Sequence, residues 1–252
     1  MKKIGQVAVV IPAAGEGKRL GGHRKQFRVL GGKSVLVQTL LVFERHPLID
    51  HIIVATPEEA VKPLSDELRR VGISKLLAVV KGGSTRQATV RSALGSIPEE
   101  VDVVLVHDAV RPFVRMSNVS SIVGLVREVG ACALAINISD TVRKIERADD
   151  GRTVFGVTEP REKLVRMQTP QGFRTDWLVE AHNQAFLEGY ESTDDVELVQ
   201  KLGHPVLRMD GCGLNIKITT PEDWEYAIHF WEQWQAVLKQ EEREQIAGQE
   251  TR

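Results

Sequence analysis

Scarcity narrows the chemistry of this 252-residue chain before any motif does. There are two cysteines, Cys132 and Cys212, without metal-type spacing and too few for a disulfide framework, so a reducing cytoplasm is the expected setting. No run approaches the roughly 20 apolar residues that a membrane span requires. No apolar leader follows Met1-Lys2-Lys3, so no secretory signal is expected either. Excess charge is also missing: Lys plus Arg number 33 against 34 for Asp plus Glu, which argues against a dedicated nucleic-acid binder. With 42 % apolar and 27 % charged residues the chain reads as one globular α/β domain over 1–240, with a frayed tail at 241–252.

Basic charge matters only where it is concentrated, and that is around residues 7–27, VAVVIPAAGEGKRLGGHRKQF. Val7 to Ile11 are consecutive apolar, mostly β-branched residues, the pattern of a strand covered on both faces. After Pro12 the chemistry changes: Gly15, Gly17, Gly21 and Gly22 allow close backbone approach, while Lys18, Arg19, His23, Arg24, Lys25 and Arg28 bring cationic or protonatable groups. Two familiar phosphate loops are excluded. Arg19 stands where a Walker loop needs Ser or Thr for magnesium, and Leu20 stands where a dinucleotide fingerprint needs its third glycine. The second strand, His51 to Ala55, ends in Thr56-Pro57 and lacks the acid that would bind a ribose hydroxyl. What remains is a grip for a nucleoside triphosphate carrying about four negative charges, partly offset by one magnesium.

Further along, Ser34 caps a helix to Glu44, and apolar runs at His51–Ala55, Leu76–Val80, Val103–Val106 and Ala131–Ile136 alternate with helical stretches such as Glu58–Val71 and Asn118–Val129. That alternation predicts right-handed crossovers and a doubly wound, mostly parallel sheet. Its ligand loops lie beyond the carboxyl ends of the strands. One such loop, Lys81-Gly82-Gly83-Ser84-Thr85-Arg86-Gln87-Ala88-Thr89, puts glycines, hydroxyls and an arginine at a helix start, where Ser84 could also be a simple cap. Another ends Val106-His107-Asp108-Ala109-Val110-Arg111-Pro112. A carboxylate there is costly to desolvate unless it binds a metal, a hydroxyl or a cation, although capping a helix or pairing with Arg111 would also serve.

Asp140–Ile145 and Thr153–Val157 alternate as an exposed hairpin turning at Asp149-Asp150-Gly151, a pair too small to be stable unsupported. Gln168-Thr169-Pro170-Gln171-Gly172-Phe173 then brings the chain back to the sheet. Helices follow at Thr175–Glu188 and Asp194–Lys201, the second capped by Thr193. In Gly213 to Asp223, strand alternation points Lys217 away from Ile216 and Ile218, towards solvent or a cleft. Thr220-Pro221 opens a helix to about Gln240, whose Trp224, Phe230, Trp231 and Trp234 read as core or dimer packing.

These segments, PAAGEGKRLGG with KQF, GGSTRQAT, HDAVRP, QTPQGF and NIKITTPED, resemble in order and spacing the sugar nucleotidyltransferases, and among them the 2-C-methyl-D-erythritol 4-phosphate cytidylyltransferase family. Leu164-Val165 departs from a common Leu-Trp, a matter of local packing. The resemblance implies that Pro12, Ala13, Ala14, Gly15, Gly17, Arg19 and Lys25 bind CTP, with Gly82, Gly83, Arg86 and Thr89 at cytosine and ribose and Asp108 beside the ribose. It implies Asp108, Arg111, Thr141, Arg161, Thr169, Thr193 and Lys217 at the acceptor, and a catalytic set of Arg19, Lys25, Asp108, Arg161 and Lys217. Mg²⁺ is the implied cofactor, on Asp108 or on the phosphates alone. The hairpin, 139–163, is implied to be an arm that wraps a second subunit, making a homodimer with Arg161 reaching the partner's site. His107 is read as structural, since a phosphate nucleophile needs no general base. The implied reaction moves CMP from CTP to a methylerythritol phosphate. Ribitol 5-phosphate is the competing acceptor, and a dinucleotide oxidoreductase or a nucleotide sensor are the alternatives from other classes.

Overall fold

Residues 5–15 and 24–250 are described by a computed structural model, with side chains through Glu244. In chain order the elements are β1 (Gln6–Pro12), β2 (Val29–Leu30), β3 (Lys33–Ser34), α1 (Val35–Arg45), β4 (His51–Thr56), α2 (Val61–Arg70), β5 (Leu76–Lys81) and α3 (Arg86–Leu94). Then follow β6 (Val101–Val106), α4 (Met116–Val129), β7 (Ala131–Asn137), β8 (Val142–Arg147), β9 (Thr153–Glu159) and β10 (Val165–Arg174). The chain ends with α5 (Thr175–Glu188), α6 (Asp195–Lys201), β11 (Leu207–Asp210) and α7 (Pro221–Glu250).

The main sheet has seven strands in the order β11-β7-β10-β6-β1-β4-β5, with β10 antiparallel to both neighbours and every other pairing parallel. This is the expected doubly wound α/β fold. The uninterrupted apolar run of β1 is explained by its place: Val7, Val9 and Ile11 face the core under α1, α2, α4 and α7, while Ala8 and Val10 face the core under α3, α5 and α6. From β1 the chain winds outward through β4 to β5, then returns to place β6 on the other side of β1. The carboxyl ends of β1, β5 and β6 therefore open around one crevice at that reversal.

Several local expectations need correction. Asn215–Thr219 is not a strand; the sheet's extra parallel strand is β11, before it. The cap of α6 is Asp194, whose side chain accepts from Glu197 N, not Thr193. The cap of α3 is Thr85, accepting from Ala88 N at 3.2 Å, not Ser84. A small hairpin precedes α1, turning on Gly31 and Gly32 with φ of 56° and 81°. A Cβ on Gly31 would lie 1.8 Å from Trp231 Nε1, so that turn is fitted to α7.

Helix α7 also runs past the expected end near Gln240, to Glu250. Tertiary bonds hold its later turns. Glu241 Oε2 accepts from Met116 N at 3.0 Å and Oε1 from Ser117 Oγ at 3.0 Å, so α7 caps the start of α4, where Arg115 supplies no side-chain cap. Arg45 also binds Glu242 at 2.9 Å. Trp234 is fully buried and meets Phe113 edge-on at 5.6 Å, so that part of the helix's aromatic face belongs to the core.

Candidate active site

The crevice at the reversal is a cleft of about 660 Å³ lined by three loops and by the extended Lys217–Thr219 stretch. Its first wall is the turn after β1. Ala13 N donates to Ala55 O at 2.7 Å, keeping the departing backbone against β4. The loop returns at the one-turn helix Lys25–Phe27, where buried Gln26 donates from Nε2 to Ala13 O (2.7 Å) and Gly15 O (3.2 Å). Gln26 thus ties the returning limb to the departing one and sets Lys25 on the wall beside Pro12, Ala13, Ala14 and Gly15. Arg24 and Arg28 do not join it: Arg24 pairs with Glu59 at 2.6 Å and Arg28 lies 4.4 Å over the Trp224 ring. Gly17 and Arg19 lie outside the described residues.

The second wall is the turn from β5 into α3. Gly82 N donates to Thr56 O at 2.7 Å, and Thr89 Oγ1 bonds back to Thr85 O (2.7 Å) while accepting from Gly83 N (3.2 Å). A Cβ on Gly82 would stand 2.6 Å from Ala14 Cβ, and one on Gly83 would stand 2.4 Å from Ala88 Cβ. Glycine at 82 lets the two walls approach this closely, and glycine at 83 lets the turn fold tightly onto the start of α3. Gly83, Ser84, Thr85, Arg86 and Thr89 line the cleft, so Ser84 and Thr85 join the set expected from sequence.

Asp108 forms the floor, immediately beyond β6, 6 % exposed. Oδ2 meets Lys217 Nζ at 3.0 Å and Arg111 Nε at 3.1 Å, and Oδ1 lies 3.7 Å from Arg86 Nε. Burial would raise the carboxyl's pKa, but Lys217, Arg86 and Arg111 together outweigh it and hold the group ionised, well below the carboxylate range. Lys217 reaches this floor because Ile218 is anchored in the core, its N–H on Val110 O at 3.0 Å, which turns the lysine to the opposite side.

Behind the floor the hydrogens can be assigned by elimination. Arg111 O can only accept, so the His107 Nε2 at 3.0 Å from it carries the proton. Burial lowers the His107 pKa to about 4, so the ring is neutral and Nδ1 accepts from the Thr169 hydroxyl at 3.0 Å. Thr169 Oγ1 in turn accepts from Asp108 N at 3.0 Å. Both ring nitrogens of His107 are thereby engaged, as a structural role requires.

Arg86 is held on two sides: Nη1 donates to Asp195 Oδ2 at 2.8 Å while Nε faces Asp108. Asp195, 0 % exposed, accepts from His182 Nε2 at 2.9 Å. No local pattern marks Asp195 and His182 as site residues, because they reach the site only through folding, from α6 and α5. Arg111 is buried, and its other nitrogens donate to Asn215 O (2.7 Å) and Met167 O (3.5 Å), so it braces Asp108 from behind the cleft wall. Thr193 is exposed on the loop ahead of α6, and Thr141 is exposed at the base of the arm. Arg161, in a one-turn helix after β9, donates to Ser139 O. These three do not line the cleft of their own chain.

Asp108 is the one carboxylate on the described cleft wall, and among the described residues no three His, Cys, Asp or Glu side chains gather as a metal cluster. The donors present suit a divalent ion that arrives on phosphate oxygens and takes a single protein carboxylate, rather than a protein-built metal centre. Among the described residues no helix is long and apolar enough to cross a membrane.

The chain is similar to known proteins in sequence and fold. The family model described as "IspD: 2-C-methyl-D-erythritol 4-phosphate cytidylyltransferase" matches residues 7–233. A 2-C-methyl-D-erythritol 4-phosphate cytidylyltransferase of Salinibacter ruber is 51 % identical over 228 residues, 90 % of this chain and 94 % of that protein. The crystal structure of the Thermus thermophilus 2-C-methyl-D-erythritol 4-phosphate cytidylyltransferase is similar with TM-score 0.74 and 35 % identity, over 89 % of this chain and 98 % of that one. A 4-diphosphocytidyl-2C-methyl-D-erythritol synthase structure from Anaerococcus prevotii has TM-score 0.77 at 28 % identity, over 90 % and 96 % of the two chains.

Proposed function

The chain belongs to the 2-C-methyl-D-erythritol 4-phosphate cytidylyltransferase family, and from that premise we propose how its cleft performs the family's reaction. The protein is a nucleotidyltransferase that moves CMP from CTP to the 4-phosphate of 2-C-methyl-D-erythritol and releases pyrophosphate, a step of non-mevalonate isoprenoid precursor synthesis. An oxygen of the acceptor phosphate attacks the α-phosphorus in line, the bond from that phosphorus to the bridging oxygen breaks, and pyrophosphate leaves with the electron pair. The acceptor phosphate is already ionised at neutral pH. Catalysis is therefore orientation plus compensation of charge.

Lys25 and Arg19 hold the leaving phosphates, with Pro12, Ala13, Ala14, Gly15 and Gly17 completing the CTP site. Gly82, Gly83, Arg86 and Thr89 take the cytidine, where a cleft narrowed by glycines excludes a purine by size. Lys217, held at Asp108, receives the acceptor phosphate, with Thr169 and Arg111 acting through Asp108; Thr193 is a further acceptor contact. Thr141 and Arg161 serve the cleft of a second copy, delivered by the β8–β9 arm of a homodimer. Asp108 would be the protein ligand of a Mg²⁺ ion carried on the phosphates, or the phosphates alone would hold it, and the ion would supply neutralisation of the triphosphate. Cys132 and Cys212 are unpaired, in keeping with a reducing cytoplasm as the working compartment.

The observation that carries this reading is the ionised Asp108 on the cleft floor, sharing its oxygens among Lys217, Arg111 and Arg86, in a cleft whose first wall carries Lys25. Pyrophosphate release, followed for CTP, UTP, ATP and GTP against both methylerythritol and ribitol phosphates, tests it. Release is expected with CTP and 2-C-methyl-D-erythritol 4-phosphate together. Release without acceptor, or faster release with ribitol 5-phosphate, would overturn it.

A further inference from the structure

Arg86 occupies an unusual position between two carboxylates of different standing. Asp108 belongs to the cleft floor, and Asp195 lies behind the wall, its side chain 1 % exposed and in contact with Arg86 Nη1 at 2.8 Å. Burial alone would lower the guanidinium's pKa and raise that of Asp195. Burial is the largest single effect on each, but Asp195 and Asp108 together outweigh it for Arg86, and Arg86 and His182 together outweigh it for Asp195, so the pair stays charged.

The carboxylate is aimed as well as charged. His182 Nε2 donates to Oδ1 at 2.9 Å, which leaves Oδ2 for Arg86, and Asp195 N donates to Gln171 Oε1 at 3.2 Å. The next residue of α3 secures the same loop: Gln87 Nε2 donates to Tyr190 O at 2.9 Å, and Gln87 Oε1 accepts from Ser192 N at 2.8 Å. The first turn of α3 and the 190–195 loop are thus locked in register.

Without this tether the nearest carboxylate left to the Arg86 guanidinium would be Asp108, at 3.7 Å, and Arg86 would close on it. Asp108 would then be drawn from Lys217. We propose that Asp195, oriented by His182, is a positioning residue of the reaction: it holds Arg86 against the nucleotide wall and away from Asp108, keeping Asp108 shared with Lys217. This inference rests on the cytidylyltransferase reading given above.

Asp195→Asn isolates the bond. It keeps an oxygen for His182 but turns an amide NH₂ towards Arg86, donor facing donor. The expected result, by pyrophosphate release at a temperature where the variant is folded, is a loss of about ten- to a hundredfold in kcat/KM for CTP with the larger share of the loss in KM. In an Arg86→Gln background the same change should cost less than about threefold, because the interaction it removes is already gone. Wild-type kcat/KM in Asp195→Asn, or an undiminished second loss in the Arg86→Gln background, would overturn the assignment. Should Asp195→Asn fail to fold, Arg86→Lys reads the same bond, since one ammonium cannot reproduce the fork that meets both carboxylates. A loss of about tenfold or more is then expected, and a rate within about twofold of wild type refutes the role. A wild-type protein that released no pyrophosphate from CTP with the acceptor would instead refute the reaction itself.

Discussion

At the scale of single residues, buried histidines tie stability to pH. Burial lowers both His46 and His107 from 6.5 to about 4. Each uses Nε2 to donate to a backbone carbonyl, Met116 O and Arg111 O, and Nδ1 as an acceptor, so neither has room for a second proton. Between pH 6.5 and about 4 the unfolded chain binds protons that the folded chain refuses, so the unfolding free energy falls as pH is lowered through that window. Each ring contributes up to about 3 kcal/mol to the fall. Asp108 and Asp195, held low in the folded state, extend the loss below the ordinary carboxylate range. Denaturant unfolding across a pH series should show this decline, and His46→Gln should flatten part of it; a level profile over the window would contradict the assignment. Asp108 and Lys217 were legible in the sequence because each stands out against apolar neighbours. Gln26 and Asp195 were not: their meaning lies in bonds to residues 13 and 109 positions away, Ala13 and Arg86, and no local pattern encodes such a partner.

At the scale of elements, the β8–β9 arm is the piece that the monomer leaves unfinished. Ile145 and Phe155 pair across its strands and are 73 % and 79 % exposed, with Val157 beside them at 67 %. A two-stranded ribbon bearing such an apolar face needs a cover. With a homodimer as the proposed cover, Phe155→Asp should move the protein from dimer to monomer in sedimentation velocity. A wild-type monomer, or a dimer indifferent to the change, would remove the arm from the assembly. The hairpin itself was readable from alternation around Asp149-Asp150-Gly151, and α5 matched its expected limits because apolar periodicity there is local. Elements defined by neighbours were harder. The short β11 exists because β7 offers it an edge, and the turn of α7 around Glu241 is fixed to the start of α4. Asp194 displaced the expected Thr193 as a cap, both residue types being good acceptors one position apart.

At the scale of the whole molecule, function follows from topology. Parallel strands bring their carboxyl ends to one edge, and the reversal of winding around β1 gathers there three loops that are separated by dozens of residues. Close packing of Gly82 on Ala14 draws two of these loops together, while α7 and α4 brace the third from behind through Glu241, Phe113 and Trp234. The doubly wound, mostly parallel sheet was implicit in the alternation of apolar runs and helices; its strand order and the closeness of the walls were not, since both depend on contacts between distant segments. The central claim is that this cationic crevice compensates the charge of CTP while a second phosphate displaces pyrophosphate. A crystal structure of the protein with CTP and magnesium tests it most directly. The triphosphate is expected within hydrogen-bonding distance of Lys25 and the cytosine against Gly82, Gly83 and Arg86, and a nucleotide bound elsewhere, with Lys25 remote from every phosphate, would contradict it.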